Sequence, residues 1–298
     1  MITTPTFRNL IIAYTATDPG RDALNLGIAM ARTSGAHLNL VTVVPEDNIY
    51  AAVYPSDRGH MPIIQEQVRE WLEQAQASLP ADISSSIHTI SDSSDAAGLL
   101  TATKQLNGSA IVLGGRRGGL LRRFRLGATA TTLLHSSPVP VALAPGGYQN
   151  QAKLSWLTAM FGTRPGAEAV IQYALAAAQS FNLPLRLVSL LFLDQAQTDF
   201  LPDGLDTADL IAQVEHFGNE QLAAQAADMV ANDQAATIVA TGKDVHDAVE
   251  QLTWMEHELV IFGSSRLASN QHTFLGATAA KILRHIPSPM MVIPAETT

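Results

Sequence analysis

Short, continuously apolar runs alternate along the chain with longer segments in which apolar residues recur at helical spacing. Asn9–Tyr14, His37–Val44, Ala110–Leu113 and Val139–Leu143 read as strands, and Ser85–Ile90 as a weaker one. Between them, Asp22–Ser34, Ile63–Leu79, Asp95–Leu106 and Gly127–His135 read as helices. Gly35 gives the first helix a stop, Pro80 ends the second, and Asp95 is placed to cap the third. The stretch from Pro45 to Met61 has no such period and reads as a long connection. The same order then returns, with strands at Lys153–Met160, Leu185–Leu191, Ala236–Ala240, Leu259–Phe262 and Met290–Ile293. The matching helices are Ala167–Phe181, Ala208–Met229, Asp244–Thr253 and Gly276–His285, with a loop at Asp194–Leu205. Strands without polar alternation are buried on both faces, and strand–helix alternation makes their sheet parallel. The predicted class is α/β.

The repetition extends to individual residues. Gly114, Gly127, Pro138, Pro140, Pro145 and Asp95 recur 149 positions later as Gly263, Gly276, Pro287, Pro289, Pro294 and Asp244. Thr17-x-Pro19-Gly20 recurs 146 positions later as Thr163-x-Pro165-Gly166. A period this long describes whole domains rather than a solenoid. Two doubly wound parallel-sheet domains follow, at 1–147 and 152–298, joined by the short Gly146–Gln151 linker. They are expected to superpose, with about five strands each. Ligands of such sheets lie at the carboxyl ends of the strands, at the topological switch point.

With 47% hydrophobic and 15% charged residues the chain is globular. It has no cysteine, so neither disulfides nor thiol chemistry enter. No charged leader precedes an apolar core at the N-terminus, and no apolar run spans a bilayer; a cytoplasmic protein without membrane association is expected. The net charge of −9 is uneven: residues 1–150 hold 11 basic and 11 acidic residues, residues 151–298 hold 7 and 16. An acidic half disfavours nucleic acid as a partner. The concentrated positive patch is Arg116, Arg117, Arg122, Arg123 and Arg125. The 9 histidines form no ligand-spaced cluster, so no metal is expected. There is no phosphate-binding Gly-Lys-Ser/Thr loop, no nucleophile elbow and no nucleophile–base–orienter set. No catalytic residue is therefore assigned, and an enzymatic reading rests on fold alone.

Gly114 and Gly127, with their copies Gly263 and Gly276, carry the candidate chemistry. A glycine leaving a buried strand lets the backbone turn and approach a ligand, and a glycine opening a helix leaves free N–H groups facing an anion. The alternative is that these glycines close tight turns. The blocks Ile111–Pro145 and Val260–Pro294 resemble the universal stress protein family, and the element order of both halves follows it. The resemblance implies an adenine nucleotide alpha hydrolase-like fold, and a tandem pseudo-dimer in which Val139–Leu143 and Met290–Ile293 mediate pairing. Nucleotide-binding members carry Gly-x-x-Gly and, nine residues on, Gly followed by Ser or Thr, a loop that wraps the phosphates and ribose of ATP.

Here the second glycine is replaced by Arg117 and Arg266, and the Ser/Thr by Ala128 and Ala277. The aspartate that such members have at the end of the first strand falls on Thr15 and Phe161, the latter placed to stack on or block an adenine pocket. Thr129 and Thr278 could restore the hydroxyl, and Gly115 and Gly118 keep the loop permissive. Thr15, Ala16 and Val43 complete the implied nucleotide-binding set. Arg117 either clamps phosphate or fills the space of the missing glycine; Arg266, at the same position in a less basic half, favours the second. Three functions stay open. The first is a stress-response protein binding ATP or another adenine nucleotide, mainly in the N-terminal half. The second is a degenerate member acting through protein partners, and the third a slow ATPase. The chain is expected as a monomeric pseudo-dimer or a homodimer.

Overall fold

The structure, a computed structural model, describes residues 7–45, 61–117, 124–162, 167–192, 207–264 and 272–295. The connections predicted at Pro45–Met61 and Asp194–Leu205 fall almost wholly outside these residues.

In the N-terminal half the elements run β1 (Asn9–Ala13), α1 (Asp18–Ser34), β2 (His37–Pro45), α2 (Met61–Ala77), β3 (Ser85–Asp92), α3 (Asp95–Gln105) and β4 (Ala110–Gly114). Two short strands follow, β5 (Arg116–Arg117) and β6 (Phe124–Arg125), then α4 (Ala128–Leu133) and β7 (Val141–Ala144). The C-terminal half has β8 (Trp156–Met160), α5 (Ala167–Phe181), β9 (Leu185–Phe192), α6 (Thr207–Gln225), α7 (Ala227–Ala231) and β10 (Ala235–Gly242). It closes with α8 (Val245–Glu250), β11 (Glu258–Gly263), α9 (Ala277–Leu283) and β12 (Met290–Ile293).

All strands except β5 and β6 join one 10-stranded sheet, in the order β10-β9-β8-β11-β12-β7-β4-β1-β2-β3. Each half contributes five strands to it. Every pairing within this sheet is parallel except β7 with β12, which is antiparallel and joins the halves. Ala142 faces Met291 in that ladder, and these are the same position of the repeat, 149 residues apart. A pseudo-twofold axis therefore passes through this pair, and the shared strand is self-complementary in the manner of a symmetric dimer.

Helices cover both faces because alternate strand residues are apolar on both sides. On one face Leu10, Ile12, Leu38 and Leu40 pack with Leu26 and Met30 of α1 and Leu72 of α2. On the other, Ile11, Val41, Ile111 and Leu113 pack with Leu99 of α3 and Leu133 of α4. Each such buried side chain contributes about 1.5–3 kcal/mol. The linker is no free tether. Asn25 donates to the Tyr148 carbonyl at 2.9 Å, the Gly147 N–H donates to Asp22 at 2.6 Å, and Arg32 donates to the Gln151 carbonyl at 2.7 Å. It is laid along α1. Phe7 and Phe181 stack across the halves, with ring centroids 5.4 Å apart. No helix among the described residues is long and apolar enough to cross a membrane.

Several boundaries differ from the sequence expectation. Helix α1 begins at Asp18, not Asp22, because Thr17 caps it and Pro19 occupies its first turn, so Thr17-x-Pro19-Gly20 is a helix start. Ser94, not Asp95, caps α3. The long helix expected at Ala208–Met229 breaks at Ala226 into α6 and α7. Strand β7 starts after Pro140, whose ring has no N–H to give to a ladder.

Candidate functional site

In the sheet order β1 lies between β4 and β2. The chain moves outward from β1 to β2 and β3, then returns to β4 on the other side of β1. Connections diverge at that switch point and leave a crevice at the carboxyl ends of β1 and β4. Thr15 and Ala16 follow β1, Gly114 and Gly115 end β4, and Gly127, Ala128 and Thr129 open α4. Val43 lies near the carboxyl end of the neighbouring β2. The second half repeats the arrangement between β8 and β11, with Gly263 ending β11 and Gly276, Ala277 and Thr278 opening α9.

The floor of the N-terminal crevice is tightly packed. The Thr15 hydroxyl lies 2.8 Å from that of Thr17, which accepts the Gly20 N–H at 3.5 Å. Asp18 is ion-paired with Arg21 on the exposed helix start. A Cβ at Gly20 would stand 1.9 Å from the Thr15 carbonyl oxygen, and one at Gly114 would stand 1.8 Å from the Pro19 carbonyl oxygen. Glycine at 114 is thus demanded by the first turn of α1, which presses on the end of β4. This is neither of the two reasons that the sequence offered. Val43 is likewise covered: a Cβ at Gly98 of α3 would come within 2.5 Å of its Cγ1.

The rim is more open. Gly127 is extended (φ −77°, ψ 171°) and caps α4 without any side-chain bond, so the first amides of this helix have no partner within it. Ala128 is exposed. The Thr129 hydroxyl donates to Asp95 Oδ2 at 3.3 Å, which brings a carboxylate to the rim. Gly115 is buried, and its N–H donates to the Ala144 carbonyl at 2.8 Å. Arg116 pairs with Arg125 and Arg117 with Phe124 in the antiparallel β5–β6 ribbon. The ribbon leaves β4 just after Gly114 and returns just before Gly127, so the basic stretch is anchored at both glycines. Gly118 and Arg266 lie outside the described residues, as do Arg122 and Arg123; Arg117 is placed by its backbone alone.

The C-terminal crevice has different walls. Sheet register pairs Leu10 with Ala110 and Leu157 with Leu259, so the first strands correspond at an offset of 147 and the fourth at 149. Phe161 therefore matches Tyr14, not Thr15, and its N–H donates to Val188 as that of Tyr14 does to Val41, both at 2.9 Å. Phe161 is 7% exposed and stacks on Phe217 of α6, with centroids 6.1 Å apart. It is a core residue rather than the wall of an adenine pocket. The exposed residue at the crevice is Gly162. Gly263 is less constrained than Gly114: a Cβ there would meet Val170 Cβ at 3.2 Å. Gly276 (φ −67°, ψ 160°) also caps its helix without a side-chain bond. Asp244 caps α8, accepting from the His246 and Asp247 amides at 2.8 and 3.0 Å. The bond from Asp247 first, then that from His246 and the nearby imidazoles, hold its carboxyl below the usual range.

Two participants escaped the sequence reading. Asp95 does not act as a cap but reaches Thr129. Ser264 follows Gly263, donates to the Ile293 carbonyl at 2.6 Å and accepts the Phe274 N–H at 2.9 Å. Among the described residues no group of three or more His, Asp or Glu side chains could hold a metal ion.

The model of the universal stress protein family matches residues 6–145 and again residues 160–294. Universal stress proteins of Mycobacterium tuberculosis and Mycobacterium bovis are each 27% identical to the chain, over 96% of it and 99% of their own length. Among solved structures, a universal stress protein from Archaeoglobus fulgidus superposes with a TM-score of 0.61 at 16% identity, covering 96% of this chain and 98% of that one. A putative universal stress protein from Pseudomonas aeruginosa gives 0.60 at 13% identity, covering 98% and 95%. At these identities the two structures speak for the fold.

Proposed function

The chain belongs to the universal stress protein family, with two tandem copies of its domain, and from that premise we propose a cytoplasmic stress-response protein whose N-terminal half binds an adenine nucleotide. The observation that carries this reading is the crevice between β1 and β4, where Gly115 and Gly127 flank the two ends of the arginine-bearing ribbon. In this reading the phosphates lie over the free amides of Gly127, Ala128 and Thr129, and the base lies toward Thr15, Ala16 and Val43. The N-terminal half carries no net charge, whereas the acidic C-terminal half repels a polyanion at its own crevice.

The fit is incomplete. Asp95 places a negative charge beside the phosphate position, and Gly114 spends its freedom on Pro19 rather than on a ligand. These two observations favour a second reading, in which the crevice is closed and the protein acts through protein partners. Titrating the full chain with ATP by calorimetry, together with mass spectrometry of small molecules released on denaturation, separates the two. The first reading expects saturable binding that Asp95→Asn tightens about fivefold, the effect of removing one nearby charge at a surface. No heat from either protein, and no released nucleotide, leaves the second.

A further inference from the structure

The two halves are joined by more than the β7–β12 ladder. An arm of the C-terminal half, His272–Leu275, lies along the end of α4 in the N-terminal half. Thr273 is completely buried, 0% exposed. Its hydroxyl donates to the Leu133 carbonyl at 2.7 Å and accepts the Ser137 N–H at 3.1 Å. Its own N–H donates to the Ser137 carbonyl at 2.8 Å, and the Leu275 N–H donates to the Leu134 carbonyl at 3.0 Å. The Leu134 carbonyl is among those that the end of a helix leaves without an intrahelical partner, while the Leu133 carbonyl also accepts the Ser137 N–H at 2.9 Å. The arm supplies a partner to Leu134 and a further bond to Leu133 from across the pseudo-twofold axis, and Phe274 adds an edge-on contact to His135, with centroids 4.9 Å apart.

The arm is in turn tied to the C-terminal crevice. Ser264, next to Gly263, accepts the Phe274 N–H while its hydroxyl holds the Ile293 carbonyl. A path of hydrogen bonds, bridged by the Thr273–Phe274 peptide link, therefore runs from the mouth of the C-terminal crevice to α4, which forms the wall of the N-terminal crevice.

Among the described residues no return path runs the other way, for reasons visible in the sequence. At the offset of 149, Ser264 corresponds to Gly115, Thr273 to Phe124 and Ser137 to Ile286. None of the three N-terminal or reciprocal counterparts has a hydroxyl. Gly115 reaches Ala144 through its amide alone, and Phe124 pairs with Arg117 instead. Among the described residues Leu126 makes no backbone hydrogen bond to the end of α9.

We propose that this arm is a one-sided brace: the C-terminal half fixes the seating of α4 through Ser264 and Thr273, with no matching arm on α9 among the described residues, and so couples the two crevices through a single set of bonds. The brace does not depend on nucleotide binding; only its role as a regulator of affinity rests on the proposed function.

Hydrogen exchange of the full chain, read by mass spectrometry on peptides covering α4 and α3, tests it. Thr273→Val removes the hydroxyl at nearly constant shape, and Ser264→Ala cuts the path at its origin. Both are expected to speed exchange of the Thr131–Leu134 amides about tenfold, the scale of one lost buried hydrogen bond, while α3 (Asp95–Gln105) is unchanged. Thr273→Ser, which keeps the hydroxyl, is expected to keep α4 protected. Unchanged α4 exchange in Thr273→Val overturns the brace, and so does an equal acceleration of α3, which would mark general destabilisation. ATP titration of the same variants is a separate readout. If the wild type binds ATP, Thr273→Val should weaken it severalfold. If the wild type does not, the nucleotide reading fails and exchange alone still decides the brace.

Discussion

One ladder position is solved differently in the two halves. Asn39 on β2 faces Ile11, and Arg186 on β9 faces Thr158; the two are the same place in the repeat. In the N-terminal half the buried amide is met by hydroxyl and imidazole groups. Ser86 donates to Asn39 Oδ1 at 3.1 Å, a His88 nitrogen lies 3.2 Å from the same oxygen, and His37 reaches Ser86 at 3.0 Å. In the C-terminal half a buried ion pair fills the space. Arg186 holds Glu258 Oε1 at 2.8 Å, Thr158 at 2.7 Å and the Thr253 carbonyl at 2.7 Å, beneath the Trp254 ring 5.5 Å away. Glu258 Oε2 takes the Met255 N–H at 2.9 Å. The backbone accepts either solution because both leave every polar atom named here with a partner. The difference lies in what happens when one partner is removed.

The largest expected effect separates the pads. Glu258→Ala leaves Arg186 charged, buried and unpaired, and should cost about 3–5 kcal/mol in urea unfolding. Asn39→Ala strands hydroxyl and imidazole groups that can turn to other partners, and should cost about 1–3 kcal/mol. Replacing the ion pair as a unit, Arg186→Met with Glu258→Leu, should recover most of the loss, since the paired charges are offset by their desolvation. If Glu258→Ala and Asn39→Ala cost the same, the two pads are energetically equivalent and the contrast fails. Trp254, stacked over the guanidinium, offers a local fluorescence signal for the C-terminal pad.

A smaller contrast separates the glycines. Gly114→Ala puts a Cβ into the Pro19 carbonyl, a backbone group that moves only if α1 moves. A cost of about 1–3 kcal/mol is expected, as for other overpacked positions. Gly263→Ala meets only the side chain of Val170, and should cost under about 1 kcal/mol. Thermal unfolding of the two single variants reads the difference, and equal shifts would remove it.

This contrast also shows where sequence reasoning stopped. Element order was legible because the strands are unbroken apolar runs and the helices keep their period. The tandem repeat was legible because the glycines and prolines recur at one spacing. The purpose of Gly114 was not, because it depends on Pro19, a contact between distant positions that no local pattern encodes. Phe161 was misassigned by one residue because the Thr-x-Pro-Gly spacing gives 146 while the sheet register gives 147. The β5–β6 ribbon has two-residue strands, too short to leave a period. The brace was invisible for a further reason: Thr273 reads as an ordinary loop threonine until the second half is folded against the first. Asp95 was read as a cap because acidic residues favour helix starts, yet Ser94 took that role and freed Asp95 for Thr129.

The smallest expected effect is one of pH. Burial first, and then the positive charge of His37, lower the pKa of His88 below the ordinary imidazole value of 6.5. The folded chain thus binds this proton less readily than the unfolded chain does. Its contribution is fully present above pH 6.5 and is lost as the pH falls through the lowered value. The groups around it, Asn39 and Ser86, are neutral and supply no counter-charge. The C-terminal pad has no imidazole among Arg186, Glu258, Thr158 and Thr253, so no histidine contributes to it in this way. Urea midpoints measured across that range should fall toward acid in the wild type, and His88→Gln, which keeps a hydrogen-bonding side chain without the titration, should flatten the slope. A variant with an undiminished slope would move the acid sensitivity to another histidine and leave the two pads alike in this respect.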